Sequence, residues 1–148
     1  MDQPTAVAML RQLDKFVGEW TVEGTPPGGP PWPGGGRTRF AWHDSQAFLI
    51  ERSTVELPEA PDSTAIIGCD AANGTYTQLY SDERGVCRVY QMSLSGNTWK
   101  LWREGVPFAQ RFTGTFSDDG TTITGRWELM EEGKPWRTDF NLTFTKAV

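Results

Sequence analysis

After Gly18 the chain places turn residues every ~8–12 positions, with no helix-length stretch between them. Between the turns run β-branched and aromatic residues at period 2. Ten segments read as strands: 19–25, 37–43, 48–56, 63–70, 75–82, 86–95, 98–104, 109–117, 121–131 and 134–145. Parallel neighbours need a crossover, and none is available. The sheet is therefore predicted to be antiparallel, with consecutive strands adjacent. Ten strands with one apolar face either close or leave two bare edges. The expected class is all-β, a closed ten-stranded antiparallel up-and-down barrel. A two-sheet sandwich, with a drier core, is the alternative.

Two segments stand outside this pattern. Residues 5–17 (TAVAMLRQLDKFV) put Ala6, Met9, Leu10, Leu13, Phe16 and Val17 on one side at helical spacing. Thr5 is placed to cap this helix and Gly18 to end it. Residues 25–36 (TPPGGPPWPGGG) are rich in proline, which lacks an amide donor, and in glycine, which is entropically costly to order. They form a loop between the first two strands. Trp32 within it either folds over an opening as a lid or belongs to an exposed linker. The whole chain, 1–148, reads as one domain.

Composition narrows the partners. A net charge of -5 argues against nucleic acid and anionic membranes. The single histidine excludes a site built on several imidazoles, so neither a metal nor a cofactor is expected. The N-terminus has no basic region followed by a long apolar run, so no secretory signal is read and a cytoplasmic location is expected. The motifs of serine hydrolases, zinc proteases, dithiol oxidoreductases and phosphate-cradling loops are absent.

The turns set the register, and the register sets the faces. Gly96-Asn97 pairs Leu94 with Trp99 and Met92 with Leu101, which puts Tyr90 and Arg103 on the same inner face. Asp119-Gly120 pairs Phe116 with Ile123, Gly114 with Gly125, Phe112 with Trp127 and Gln110 with Leu129. Glu132-Gly133 is expected to pair Leu129 with Trp136 and Trp127 with Thr138, with Glu128 facing Arg137 and Arg126 facing Asp139 outside. A three-residue loop at Glu83-Arg84-Gly85 pairs Tyr80 with Arg88 and Gln78 with Tyr90, turning Tyr76, Gln78, Tyr80, Asp82 and Arg88 inward. Asn73-Gly74 is expected to pair Ile67 with Tyr80 and Cys69 with Gln78. Cys87 then faces out, two strands from Cys69 and beyond disulfide reach, so two free thiols are predicted. The first three strands have mixed faces.

Gly18-Glu19-Trp20, following a helix and opening an all-β chain, resembles the Gly-x-Trp signature of calycins, the superfamily of lipocalins and fatty-acid-binding proteins. The segments YSDERGVCRVY (80–90), QRFTGTFSDDGTTITGRWE (110–128) and WRTDF (136–140) resemble bacterial fatty-acid-binding-protein-like barrels, which are distantly nitrobindin-like. The resemblance implies a closed ten-stranded barrel with an internal cavity, the helix near one end and Trp20 on the barrel floor. Fatty-acid-binding proteins hold a carboxylate with an Arg-x-Tyr pair on the last strand. Here that strand has Arg137-Thr138-Asp139, and the expected register turns Arg137 outward. Nitrobindin-like barrels hold haem through a histidine near the C-terminus, and no histidine follows His43.

The candidate site is a polar strip on the inner face: Tyr80, Asp82, Arg88, Tyr90, Arg103 and Gln110. Two guanidiniums beside two phenols suit a carboxylate or phosphate. Trp99, Phe112, Trp127, Trp136 and Phe140 would wall the pocket. The expected function is binding of a partly apolar, anionic small molecule in the barrel cavity, the partner being a hydrophobic or amphipathic ligand. The plainer reading is a structural network in which Asp82 neutralises Arg88. The alternative function is a cofactor-independent isomerase, cyclase or lyase using Tyr80, Tyr90, Asp82 and the arginines. His43 and Cys69 read as packing residues, and outward Trp102 as a contact for a homodimer.

Overall fold

The structure, a computed structural model, describes residues 3–57 and 60–147, with side chains from Ala6 onward. A helix, α1 (Gln3–Gln12), leads into a 3₁₀ turn (Leu13–Phe16). Ten strands follow: β1 (Gly18–Thr25), β2 (Gly36–Trp42), β3 (Leu49–Val55), β4 (Ser63–Asp70), β5 (Thr75–Asp82), β6 (Cys87–Ser95), β7 (Thr98–Arg103), β8 (Phe108–Phe116), β9 (Thr122–Glu131) and β10 (Arg137–Lys146). Each pairs antiparallel with its chain neighbour, and β1 pairs with β10 to close the barrel. No helix among the described residues is long and apolar enough to cross a membrane.

The expected strands are all present, and so is the alternation they require. On β5, Tyr76, Gln78 and Asp82 are buried while Thr75, Thr77, Leu79 and Ser81 are exposed. The hairpins at Gly96-Asn97, Arg84-Gly85 and Asp119-Gly120 pair in the expected register. Cys69 and Cys87 are free thiols. Outside the barrel Ile66, Leu79 and Val89 form one exposed apolar row across β4, β5 and β6, with Trp102 exposed on β7.

Three local readings are corrected. The single helix over 5–17 is instead α1 followed by the tighter 3₁₀ turn, closed by Val17 N–H donating to Asp14 O. α1 starts ahead of Thr5, so that residue is not its cap, and the Thr5 side chain lies outside the described residues. At the β4–β5 turn, Asn73 N–H donates to Asp70 O and Gly74 N–H to Ala71 O. The turn therefore spans four residues. Ile67 pairs with Gln78, Cys69 with Tyr76 and Ala65 with Tyr80, two positions from expectation and on the same face.

The third correction is at β9–β10. Pro135 has no amide donor for the ladder, and β10 starts only at Arg137. Leu129 pairs with Arg137 and, after a bulge between Thr138 and Phe140, Trp127 pairs with Phe140. The expected Glu128–Arg137 and Arg126–Asp139 pairs do not form. Glu128 accepts from Arg111 Nε at 2.9 Å, Arg137 reaches Glu131 at 3.3 Å, and Arg126 lies opposite Asn141. The bulge restores parity, which is why Phe140, Leu142 and Phe144 follow the inner face.

The helical segment seals one end. Leu13 and Phe16 are fully buried there. The Phe16 ring lies 4.8 Å from Trp99, 5.1 Å from Phe40 and 5.2 Å from Phe116. Trp20 Nε1 donates to Phe16 O at 2.9 Å, and Tyr76 Oη to Met9 O at 2.6 Å. Trp20 thus forms the floor, and the indole and phenol satisfy carbonyls at the end of a short helical segment. Gly125, which pairs with Gly114 across β8–β9, has a packing reason: a Cβ there would collide with the Phe112 ring.

Candidate functional site

Above this floor the barrel is hollow. A cavity of about 500 Å³ is walled by aromatic and aliphatic side chains including Trp99, Leu101, Phe112, Trp127, Phe140 and Phe144. That size and composition suit a small organic molecule. Its mouth lies between Trp32, Pro33 and Gly35 of the Pro/Gly loop, Leu57, Ala60 and Pro61 of the β3–β4 connection, and Arg84. Trp32 N–H donates to Gly24 O at 2.9 Å, and the Trp32 ring stands edge-on to Phe140 at 5.9 Å. A Cβ on Gly24 would come within 2.9 Å of that ring, so glycine makes room for it. The loop is therefore seated on the barrel rim, with Trp32 still 38% exposed.

Of the eleven candidate residues, Tyr80, Trp99, Phe112, Trp127 and Phe140 line the cavity. Asp82, Arg88, Tyr90, Arg103 and Gln110 gather at its flank, and Trp136 lies apart. Gln110 Oε1 accepts from Tyr90 Oη at 2.8 Å, Arg88 at 3.3 Å and Arg103 at 3.4 Å. Both guanidiniums also lie over the Phe108 ring, at 5.5 and 6.0 Å. The strip therefore converges as its register requires, but Arg88, Tyr90, Arg103 and Gln110 meet each other rather than the hollow. Tyr90 connects the two groups, its ring edge-on to Tyr80 and Trp127.

Asp82 does not neutralise Arg88. It binds Arg84 at 2.7 Å and accepts from Tyr80 Oη at 2.8 Å. Arg84 holds its carboxyl well below the usual carboxylate range, while burial and Asp82 push Tyr80 up to about 12. Burial also raises Tyr90. None of this trio is tuned for proton transfer near neutral pH. Trp136 is not a wall residue either. Its ring packs beneath the Arg111 guanidinium at 4.1 Å, on the outer face, because β10 begins only after it. His43 sits in the β2–β3 turn, stacked on Phe48 at 4.3 Å and bonded to Ser45.

The polar groups that do face the cavity come mostly from the strands whose faces were mixed. Thr38, Glu51 and Ser53 line it, with Thr38 Oγ1 and Ser53 Oγ bonded to each other at 2.8 Å. Glu51 sits between Phe40 on β2 and Ala65 on β4. Burial alone pushes its carboxyl up to about 7. From β5, Gln78 is only 4% exposed and its Oε1 has no hydrogen-bond partner among the described residues; nor has Trp99 Nε1, two strands away on β7. The signal for Glu51 was a carboxylate at an in-phase position of a strand; without a register for that hairpin it was not decisive.

Fold and cavity together define a closed, antiparallel, hollow ten-stranded β-barrel. Among solved structures the chain is similar to the crystal structure of Rv2717c from M. tuberculosis, with a TM-score of 0.61 over 94% of this chain and 97% of that one. Sequence identity is 14%, so the likeness is one of fold. No family model and no curated protein matches the sequence.

Proposed function

We propose that this protein binds a partly apolar small molecule inside the barrel. The observation that carries this is the cavity of about 500 Å³, walled by six aromatic rings and open beneath Trp32. Its resemblance to fatty-acid-binding-protein-like barrels supports a binding role. The anionic character expected from the inner arginines is not carried into the proposal. Arg88 and Arg103 are engaged with Gln110, Arg84 is neutralised by Asp82, and Arg37 reaches only the exposed rim. Two free thiols support a reducing compartment, in keeping with a cytoplasmic protein.

Native mass spectrometry of the protein purified from its own cell tests the proposal. A bound small molecule is expected, and it should be lost in Ala65→Phe, which fills the cavity from β4. Absence of any co-purified compound, together with no saturable binding across a panel of apolar compounds, would overturn it.

A second reading rests on Glu51, a carboxyl facing the cavity with a pKa near neutrality. It is then the general base of a cofactor-independent reaction. This reading requires turnover that Glu51→Gln abolishes while ligand affinity persists.

A further inference from the structure

The chamber has a chemical polarity that the arginine strip concealed. Glu51 is its only carboxylate among the described lining residues, and the carboxyl has no hydrogen-bond or ion-pair partner among the described residues. The inner faces of the strands paired with β3 carry Thr38 and Phe40 on β2 and Ser63, Ala65, Ile67 and Cys69 on β4. No cation stands among them. From β5 and the turn that follows it, the titratable groups are Tyr80, a phenol already donating to Asp82, and Arg84, already paired with Asp82. Arg37 remains at the solvent rim. An independent observation points the same way. Gln78, on the inner face of β5 and lining the same chamber, holds a buried carbonyl oxygen without a donor. The unpartnered carboxyl and the orphaned amide oxygen are both relieved by a group rich in N–H, whereas the orphaned Trp99 Nε1 on the same lining calls for an acceptor.

We propose that the cavity selects apolar amines, whose hydrocarbon body fills the aromatic chamber and whose ammonium donates to Glu51, with Gln78 Oε1 as a second acceptor. This rests on the cavity-binding reading and names its ligand class. Binding is coupled to protons. In the empty cavity burial keeps Glu51 protonated below about pH 7, and an ammonium beside it favours the carboxylate. A proton therefore leaves Glu51 on binding, and affinity rises with pH up to that point. The slope approaches tenfold per unit on the acid side.

Calorimetry with three probes of one shape tests this: 1-naphthylmethylamine, 1-naphthalenemethanol and 1-naphthoate. At pH 8 the amine is expected to bind at least tenfold tighter than either of the others and to lose that advantage by pH 5.5. Glu51→Gln should bring amine and alcohol within about threefold of each other and remove the pH dependence. The pH profile of the unaltered protein stands independently of whether that variant folds. If alcohol or naphthoate binds as tightly as the amine, this inference fails while the binding function survives. If none of the three binds, this inference fails, and the binding function falls with it only when no compound co-purifies and the wider panel is also blank.

Discussion

Phe40 and Glu51 are directly opposite one another on adjacent strands, yet they belong to different halves of the molecule. Phe40 packs against Phe16 beneath the floor, where apolar groups fill the space and Trp20 Nε1 and Tyr76 Oη find carbonyls. Glu51 faces the hollow above, with no partner among the described residues. One alternation rule turned both side chains inward. What separates them is the cover: the helical segment plugs one end, while the other has only the rim-seated Pro/Gly loop. Packing density at the first end stabilises the fold, and the missing density at the second leaves room for a ligand.

The comparison breaks most readily at the plug. Phe16→Ala should cost about 3–5 kcal/mol in urea unfolding, because three aromatic rings lose a shared neighbour. A loss of under 1 kcal/mol would mean that the floor is no better packed than the chamber.

At the hollow end the largest effect belongs to Glu51. Its folded-state pKa lies above the unfolded value, so the folded protein holds a proton there that the unfolded chain has already released. Its ionisation penalty is absent below about pH 4.5 and complete above about pH 7, so stability falls as pH rises through that window. Glu51→Gln should remove this slope and raise stability at pH 8 by about 3 kcal/mol. Melting curves from pH 5 to 8 measure it; parallel profiles for the two proteins would place Glu51 in water.

Gln110→Leu sharpens the contrast on the cavity flank. It strips one acceptor from Tyr90, Arg88 and Arg103 at once and should cost about 2 kcal/mol. Fluorescence-monitored denaturation measures this, and a neutral result would mean that water replaces the amide. The outer wall supplies the smallest effect. Arg111→Ala removes a partly exposed pair with Glu128 and should cost under about 1 kcal/mol, shrinking further at high salt. A loss as large as that of Phe16→Ala would contradict the view that the outside is a solvated face.

Alternation and turn chemistry alone determined the ten strands, their antiparallel order and the inward set of β5 to β9. Those signals are local, and Asp-Gly or Gly-Asn turns leave a hairpin little choice of register. The β2–β3 connection has no such turn. It runs through six residues, His43–Phe48, with no glycine and a positive φ at Gln46, so nothing local declared whether Glu51 faced in or out. Pro135 likewise moved the β9–β10 pairing beyond what the Glu132-Gly133 signal implied. Only closure decided the rest: which inward groups meet each other, as the arginines meet Gln110, and which meet empty space, as Glu51 does. That is a property of distances across the barrel, and side chains far apart in the chain acquire those distances only when β1 pairs with β10.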